Sequence, residues 1–509
     1  MTRPGTIAWF ARHELLLVWR DWMSMMTAGR SARERIVAGF VVALIIGLHV
    51  LAYAVLKPVL AAGVVEDKAT LVTLGSMAVL SFSLMLSQAL ESITRAFYSR
   101  ADLDLILSSP VSAERLFAVR VGAIVLSTAS LSLFLGAPFV NLAVALDGPR
   151  WLSAYPAILA ISAIATAVSL LITVAMFKTL GPKHTRFVAQ VVAAVVGAGF
   201  LIGTQVAAIL YFGTYSRSAL FSSDAFMAAM PDAGSGWWLP VKALLGDGAA
   251  LLVLQLVGVA AIVGVVAVLA GGFGSWVVAA ASVSETRRTD AKVRPFRAMN
   301  ARQALRAKEW RLLARDPWLV SQSLMQLLYL IPPGVLLWQK FGDHGGALII
   351  LVPVLVMAVG QLAGGLAWLA ISGEDSPDLV DTAPLPLGVV LFAKLEALLC
   401  VIAVVAAPFV IAIAFFNPWA ALMTAMGVGL ASASAVLIQL WHKTESRRTD
   451  FRRRQTASKA ATLCEAFSSI MWAGTAVLAA AGMSAAAIFA GTAVAVLVVA
   501  WLISVRSAG

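Results

Sequence analysis

The stretch VVLFAKLEALLCVIAVVAAPFVIAIAFF, residues 389–416, decides the class of the fold. Its two charges, Lys394 and Glu396, stand near its start, and nothing from Ala397 to Phe416 is charged. In a helix rising about 1.5 Å per residue, roughly 20 apolar residues cross a hydrocarbon core about 30 Å thick. The run therefore reads as a membrane-spanning helix, and runs like it recur along the whole chain. We expect about twelve spans, near 36–56, 70–90, 118–146, 151–177, 187–213, 249–282, 319–339, 346–372, 389–416, 418–441, 460–482 and 484–505. The composition agrees. Of 509 residues, 61% are hydrophobic and 13% charged, and a mean hydropathy of +0.90 is too apolar for a water-soluble globule.

Charge supplies the orientation, because Lys and Arg near span ends favour the cytoplasmic side. With both termini and alternate loops inside, about 32 of the 38 Lys and Arg fall there and about six outside. The inside positions concentrate in 1–35, 91–120, 178–186, 283–315 and 442–459. The net charge of +12 is thus expected to report topology, with no nucleic-acid partner. The start, MTRPGTIAWFARHELLLVWRDW, lacks the apolar core and cleavage site of a secretory signal, so the N-terminus is expected to stay cytoplasmic. Cys400 and Cys464 fall inside spans without metal or disulfide spacing and are expected to be ordinary buried residues.

Laid side by side, the two halves share four landmarks in one order. Glu14 with Arg20 and Asp21 matches Glu309 with Arg315 and Asp316, an offset of 295. Asp104-Leu105-Ile106 with Pro110 and Arg120 matches Asp378-Leu379-Val380 with Pro384 and Lys394, an offset of 274. Ala137-Pro138-Phe139-Val140 returns as Ala407-Pro408-Phe409-Val410, offset 270, and ATAVSLLI at 165–172 resembles ASASAVLI at 431–438. These matches predict an all-α polytopic protein of two parallel six-helix repeats, 1–282 and 283–509. Each begins with an interfacial helix, at 5–28 and within 283–318. Six is even, so both copies start and end on one side and both links after the second span face the cytoplasm.

Each landmark has a physical reading. Seven residues is nearly two helical turns, so His13 shares a stripe with Arg20, and Glu14 with Asp21. In the second half Lys308 shares one with Arg315, and Glu309 with Asp316. Trp310, Leu313 and Trp318 would then face the lipid boundary, as in a helix lying on a membrane. Pro110 and Pro384 end the incoming helix and allow a sharp turn before a short cytoplasmic piece that a partner could push.

This order resembles the permease component of type-2 ATP-binding-cassette exporters: an interfacial helix with a Glu and an Arg-Asp pair, two spans, a D-L-[IV]-x-[ST]-[SA]-P link, then four more spans. The resemblance covers essentially the whole chain, twice. It implies that the helices carrying Glu14, Arg20, Asp21, Glu309, Arg315 and Asp316 are elbow helices. It also implies that the links carrying Asp104, Pro110, Ser112, Glu114, Arg115, Asp378, Pro384 and Leu387 couple to an ATPase. The segment Met230–Gly248, with Pro231, Trp237 and Trp238, resembles the family's external piece, and an aromatic belt would read identically. No G-x-x-x-x-G-K-[ST] occurs, so the chain is expected to hold no cofactor. ATP and Mg would sit on separate ATPase subunits, two copies, one under each repeat.

A pathway between the halves is expected near Pro138 and Pro408, since proline frees a carbonyl in the bilayer only where something satisfies it. Glu396 and Glu465 lie inside spans, where a charge marks function or a buried pair. Snorkelling or pairing is the simpler account of Glu396, two residues from Lys394. Five scattered His and no HExxH leave no expected metal site or enzyme chemistry. The rival expectation is an ion-gradient carrier, since parallel six-helix repeats also describe the major facilitator architecture. Substrate is not legible, and the expected location is a bacterial cytoplasmic membrane.

Overall fold

The computed structural model describes residue 16 and residues 34–61, 63–98, 113–213, 216–272, 275–276, 299–315, 328–336, 339, 344–371, 382, 384, 386–442 and 459–508. Among these the chain is helical, with no strand, and 11 spans are long and apolar enough to cross a membrane. The protein is an all-α, multi-pass membrane protein. The expected span at 319–339 lies mostly outside the described residues, though 328–336 are helical. Also outside them are Glu14, Arg20, Asp21, Asp104, Pro110, Ser112, Asp316 and Asp378.

The chain divides into two compact units, Met1–Thr204 with Arg217–Thr289, and Gln205–Ser216 with Asp290–Gly509. In the first, α1 is Glu34–Ala61, α2 Lys68–Tyr98, α3 Ala113–Asp147 and α4 Ala154–Phe212, whose last eight residues, from Gln205, are counted with the second unit. The short α5 (Arg217–Phe221), α6 (Asp224–Ala229), a 3-10 turn (Gly236–Trp238) and α7 (Leu239–Leu245) lead into α8, Gly248–Leu269. At 59 residues α4 is too long for one crossing. It breaks at Gly181, whose φ of 72° suits a residue without Cβ, and Pro182 fits the first turn of the helix that resumes. Two spans result, Pro149–Pro182 and Phe187–Phe212, as the sequence reading expected.

Hydroxyls and amides stitch this unit together. Ser169 Oγ of α4 donates to the Leu86 carbonyl of α2 at 3.1 Å, and Ser87 Oγ of α2 donates to Ala193 O at 2.7 Å. Ser83 Oγ likewise donates to Val196 O. Ser162 Oγ reaches Val125 O of α3 at 2.7 Å, and Gln255 Nε2 of α8 reaches Pro156 O at 2.5 Å. Inside hydrocarbon each such hydroxyl needs a partner, and a neighbouring helix carbonyl is the nearest one. Close approach helps: a Cβ on Gly258 would sit 3.0 Å from Ala160 O. At one end Phe97 packs between Phe177 and Trp276, both with ring centroids 6.2 Å away.

In the second unit, α9 is Ala301–Arg315, α10 His344–Ile371, α11 Leu387–Phe416, α12 Pro418–Trp441, α13 Lys459–Ala480 and α14 Ala486–Ala508. The core is built on α10, whose Leu351, Leu355, Leu362, Leu366 and Leu369 are at most 1% exposed. A helix apolar on every side belongs at a centre, and α11, α12 and α13 pack around it. Only Asn417 joins α11 to α12. Its side chain accepts from Ala420 N at 3.0 Å while Pro418 opens the new helix, so a turn and a cap are made by two residues.

Outer faces confirm the solvent. On α8, Leu252, Leu256, Val259 and Val263 are each more than half exposed, with Val253 and Val257 beside them. Apolar surface on that scale is stable against lipid tails, not water. Cys464 is buried as expected. Cys400 departs from the expectation: it lies exposed on α11, where a thiol serves as a small apolar group against lipid.

Candidate functional site

The ends of the two links differ in how they enter the spans. After the first, Glu114 and Arg115 project from the start of α3, while Leu116 and Phe117 turn into the core with Ile93 and Phe97. After the second, Pro384 forms an exposed bend, and the Pro386 carbonyl accepts from Val389 N at 2.9 Å, so Leu387 is the first residue of α11. Val390 and Ala393 are then buried. In both helices the eighth residue is basic, Arg120 in α3 and Lys394 in α11.

Lys394 is where the second link meets α9. Its Nζ lies 3.1 Å from Glu309 Oε1 and donates to the Ala370 carbonyl at 2.6 Å, so one ammonium joins α9, α10 and α11. One face of the helix away, Arg306 grips Glu396 with two contacts of 2.7 Å, the fork geometry that suits guanidinium and carboxylate. Glu396 cannot pair with Lys394, since residues two apart on a helix do not face each other. Between the ion pairs, Leu305 packs on Val389, Val390 and Ala393. Arg315 closes α9.

The energetics of the two pairs differ. Both partners of Glu309–Lys394 are buried, with side chains 2% and 10% exposed. Removing one partner of such a pair strands a desolvated charge and costs about 3–5 kcal/mol. Arg306 and Glu396 are 51% and 30% exposed, and a pair so wetted is worth about 0–1 kcal/mol. The stripe reading of α9 is corrected here. Glu309 does not share a wet face with the basic residues but points into the protein, because Lys394 supplies its counter-charge, with Lys308 Nζ 3.5 Å away.

Glu465 belongs to a second arrangement. It is 9% exposed on α13 and accepts a hydrogen bond from Gln439 Nε2 of α12. On α10, Gly364 leaves it room: a Cβ there would stand 2.6 Å from Glu465 Oε2. Ser468, Ser469 and Trp472 follow at helical spacing on the same face. Gly360 makes space for Ser469, and Trp472 Nε1 donates to Ser434 Oγ at 2.8 Å. The hydroxyls of Ser432, Ser468 and Ser469 are buried without a hydrogen-bond partner among the described residues. A polar seam thus runs between α10, α12 and α13 inside the span region. The sequence marks Glu465 by its charge within a span but does not single out Gln439, Gly360 or Gly364; the four-residue spacing of the two glycines is the signal it carries.

The remaining sequence-derived residues separate. Pro138 is buried within α3, whereas Pro408 is exposed on α11, so the shared Ala-Pro-Phe-Val stands in unlike surroundings. Within Met230–Gly248 the two tryptophans part as well. Trp238 is buried and donates to Pro231 O and Asp232 O at 3.3 and 3.1 Å, while Trp237 is 82% exposed. Among the described residues no cluster of three or more His, Cys, Asp or Glu could hold a metal ion. Compared with protein-family models, curated proteins and solved structures, the chain has no significant match.

Proposed function

We propose that the chain is the membrane-spanning permease of a type-2 ATP-binding-cassette transporter, an exporter, driven by separate ATPase subunits that bind ATP and Mg. The observation that carries this reading is the clamp on Lys394. A push on the link at Pro384–Leu387 moves α11 directly, and through Glu309 and Ala370 O it also moves α9 and α10. A solvated loop would need no such triple tie. Glu114 and Arg115 offer a partner an exposed charged pair at the matching place in the first half.

The two-repeat arrangement has support in the helix order. In the first unit α2 bonds to both arms of α4, two and three spans on from it. In the second, α10 packs on α12 and α13, which stand in the same order after it. On this reading α9 is the second elbow helix, and the termini are cytoplasmic in a bacterial inner membrane.

The test is purification of the tagged chain in mild detergent from its native membrane, with identification of stoichiometric partners. It is then repeated with Glu114→Lys and Arg115→Glu together. Recovery of an ATPase that the reversal weakens is the expected result. A chain that comes out alone, with no accompanying ATP hydrolysis, overturns the proposal.

One observation favours a second reading, an ion-gradient carrier: the carboxylate of Glu465 amid buried hydroxyls, where an intramembrane acid commonly serves ion passage. In sealed vesicles carrying the chain alone, an imposed proton or sodium gradient would then drive flux that Glu465→Gln abolishes. Absence of any gradient-dependent flux removes this reading.

A further inference from the structure

The first unit holds a cavity of about 510 Å³ between α2, α4 and α8, roofed by the short helices that follow α4. That size is within the usual range for small-molecule sites. Its wall includes Val72, Val79 and Phe82 of α2, Ile161 and Ile164 of α4, and Leu254 of α8. Phe226, Met230, Trp237 and Trp238 close it above.

What the wall lacks selects the occupant. Its two hydroxyls are spent on their own helices: Ser76 Oγ donates to Thr73 O at 2.7 Å, and Thr204 Oγ1 to Phe200 O at 2.8 Å. The Trp238 N–H is taken by Pro231 and Asp232 carbonyls. Apart from the indole N–H of Trp237 at the exposed edge, the lining has no other side-chain donor to offer an ion, a sugar or a peptide, and burying such groups unpaired is costly. An alkyl chain asks for nothing. Lipid tails are the fluid beside this unit, and a void beside them would forfeit dispersion contacts. Val79 lines the cavity and is 48% exposed, so an occupant has apolar surface there to cover.

The rim adds a head-group preference. Lys68 opens α2 one turn before Val72, on the cavity-lining side, and its Nζ lies 3.5 Å from Asp232 Oδ1. The Asp232 side chain is 99% exposed, and so loose a pair readily exchanges partners. Five residues after Asp232, the exposed indole of Trp237 marks the level of a membrane interface. An ammonium and a carboxylate side by side complement a head group that carries both a phosphate and an amine.

We infer that this cavity binds one acyl chain of a zwitterionic, amine-bearing phospholipid, with its phosphate at Lys68 and its amine at Asp232. The inference needs only the membrane-spanning fold and no ATPase partner, so it stands or falls separately from the permease reading.

The test uses the full chain in vesicles containing phosphatidylethanolamine with a photoreactive acyl chain. After illumination, labelled peptides are mapped by mass spectrometry. Label is expected on residues 72–82, 161–164 and 226–241, displaced by excess phosphatidylethanolamine more than by phosphatidylglycerol. Ile161→Trp, which fills the cavity, should cut that label about tenfold, while Val257→Trp on the outer face of α8 leaves it unchanged. If Ile161→Trp fails to fold, Val79→Trp at the half-exposed edge makes the same test. Lys68→Gln with Asp232→Asn should keep the label but erase the head-group preference. Label spread evenly over the outer helices, label indifferent to both cavity-filling variants, or equal displacement by both lipids overturns the inference.

Discussion

The two units face one problem, polar atoms inside an apolar helix bundle, and solve it with different chemistry. The first uses neutral bonds from Ser and Gln side chains to carbonyls of the next helix. The second adds charge: Glu309 on Lys394 is a buried ion pair, Arg306 on Glu396 a wetter one, and Glu465 is held by the neutral amide of Gln439. Neutral bonds in a membrane average about 0.6 kcal/mol each and fail one at a time. Buried charges are fixed in pairs, and breaking one leaves the other stranded. The first unit should therefore tolerate single changes, whereas the second should have a few positions of high sensitivity.

The sharpest test of that contrast is Lys394→Met. It should lower stability by about 3–5 kcal/mol, read as thermal unfolding in detergent, and Glu309→Met with Lys394→Met should recover most of the loss. A double variant no better than the single would show that the pair is not the source of the effect.

Next in size are the glycines of the polar seam. Gly364→Ala drives a methyl into Glu465, and Gly360→Ala drives one into Ser469, so each should cost about 1–3 kcal/mol by overpacking. Gly203→Ala, with nothing within 4 Å of the new Cβ, should be neutral or stabilising by up to about 1 kcal/mol. Equal melting temperatures for the three would mean that α10, α12 and α13 are less closely packed than the geometry requires.

Smaller again, Ser169→Ala and Ser162→Ala, about 10 Å apart along α4 and bonded to separate carbonyls of Leu86 and Val125, should each cost about 0.6 kcal/mol and should add when combined, since independent sites do. A cost near that of Lys394→Met would erase the distinction between the units.

The smallest effect concerns Asp67, outside the spans. Its carboxylate accepts from Thr70 N at 2.8 Å at the start of α2, which holds its pKa below the usual value. Because the folded value is depressed, the stabilisation is present above the unfolded pKa of about 3.9 and fades as pH falls through the folded one. Asp67→Asn should therefore abolish the pH dependence of α2 helicity below about pH 4, followed by circular dichroism, and lower helicity slightly at neutral pH, where the ionised cap is lost.

Much of the architecture was legible in the sequence because crossing a bilayer is a local requirement. Runs such as Ala397–Phe416 state their own length, and the Gly181–Pro182 pair marks the break that divides α4. The interfacial stripe proposed for α9 failed at Glu309 for a reason that no periodicity could reveal. A carboxylate turns inward only if a counter-charge waits there, and Lys394 lies 85 positions further on. The same holds for Trp237 and Trp238, adjacent in sequence, one exposed at the rim and one bonded beneath the roof.

By itself the sequence determined that this is a helical membrane protein, where eleven of its spans run and where its basic loops concentrate, since these follow from apolar length and charge along the chain. Only the tertiary structure decided that Arg306 holds Glu396 across 90 residues, that Gly364 admits Glu465, and that the hydroxyls around the first unit's cavity are already satisfied. Those outcomes depend on how far each helix is rotated about its axis and how closely it approaches its neighbour, and side chains distant in sequence fix both only when they meet.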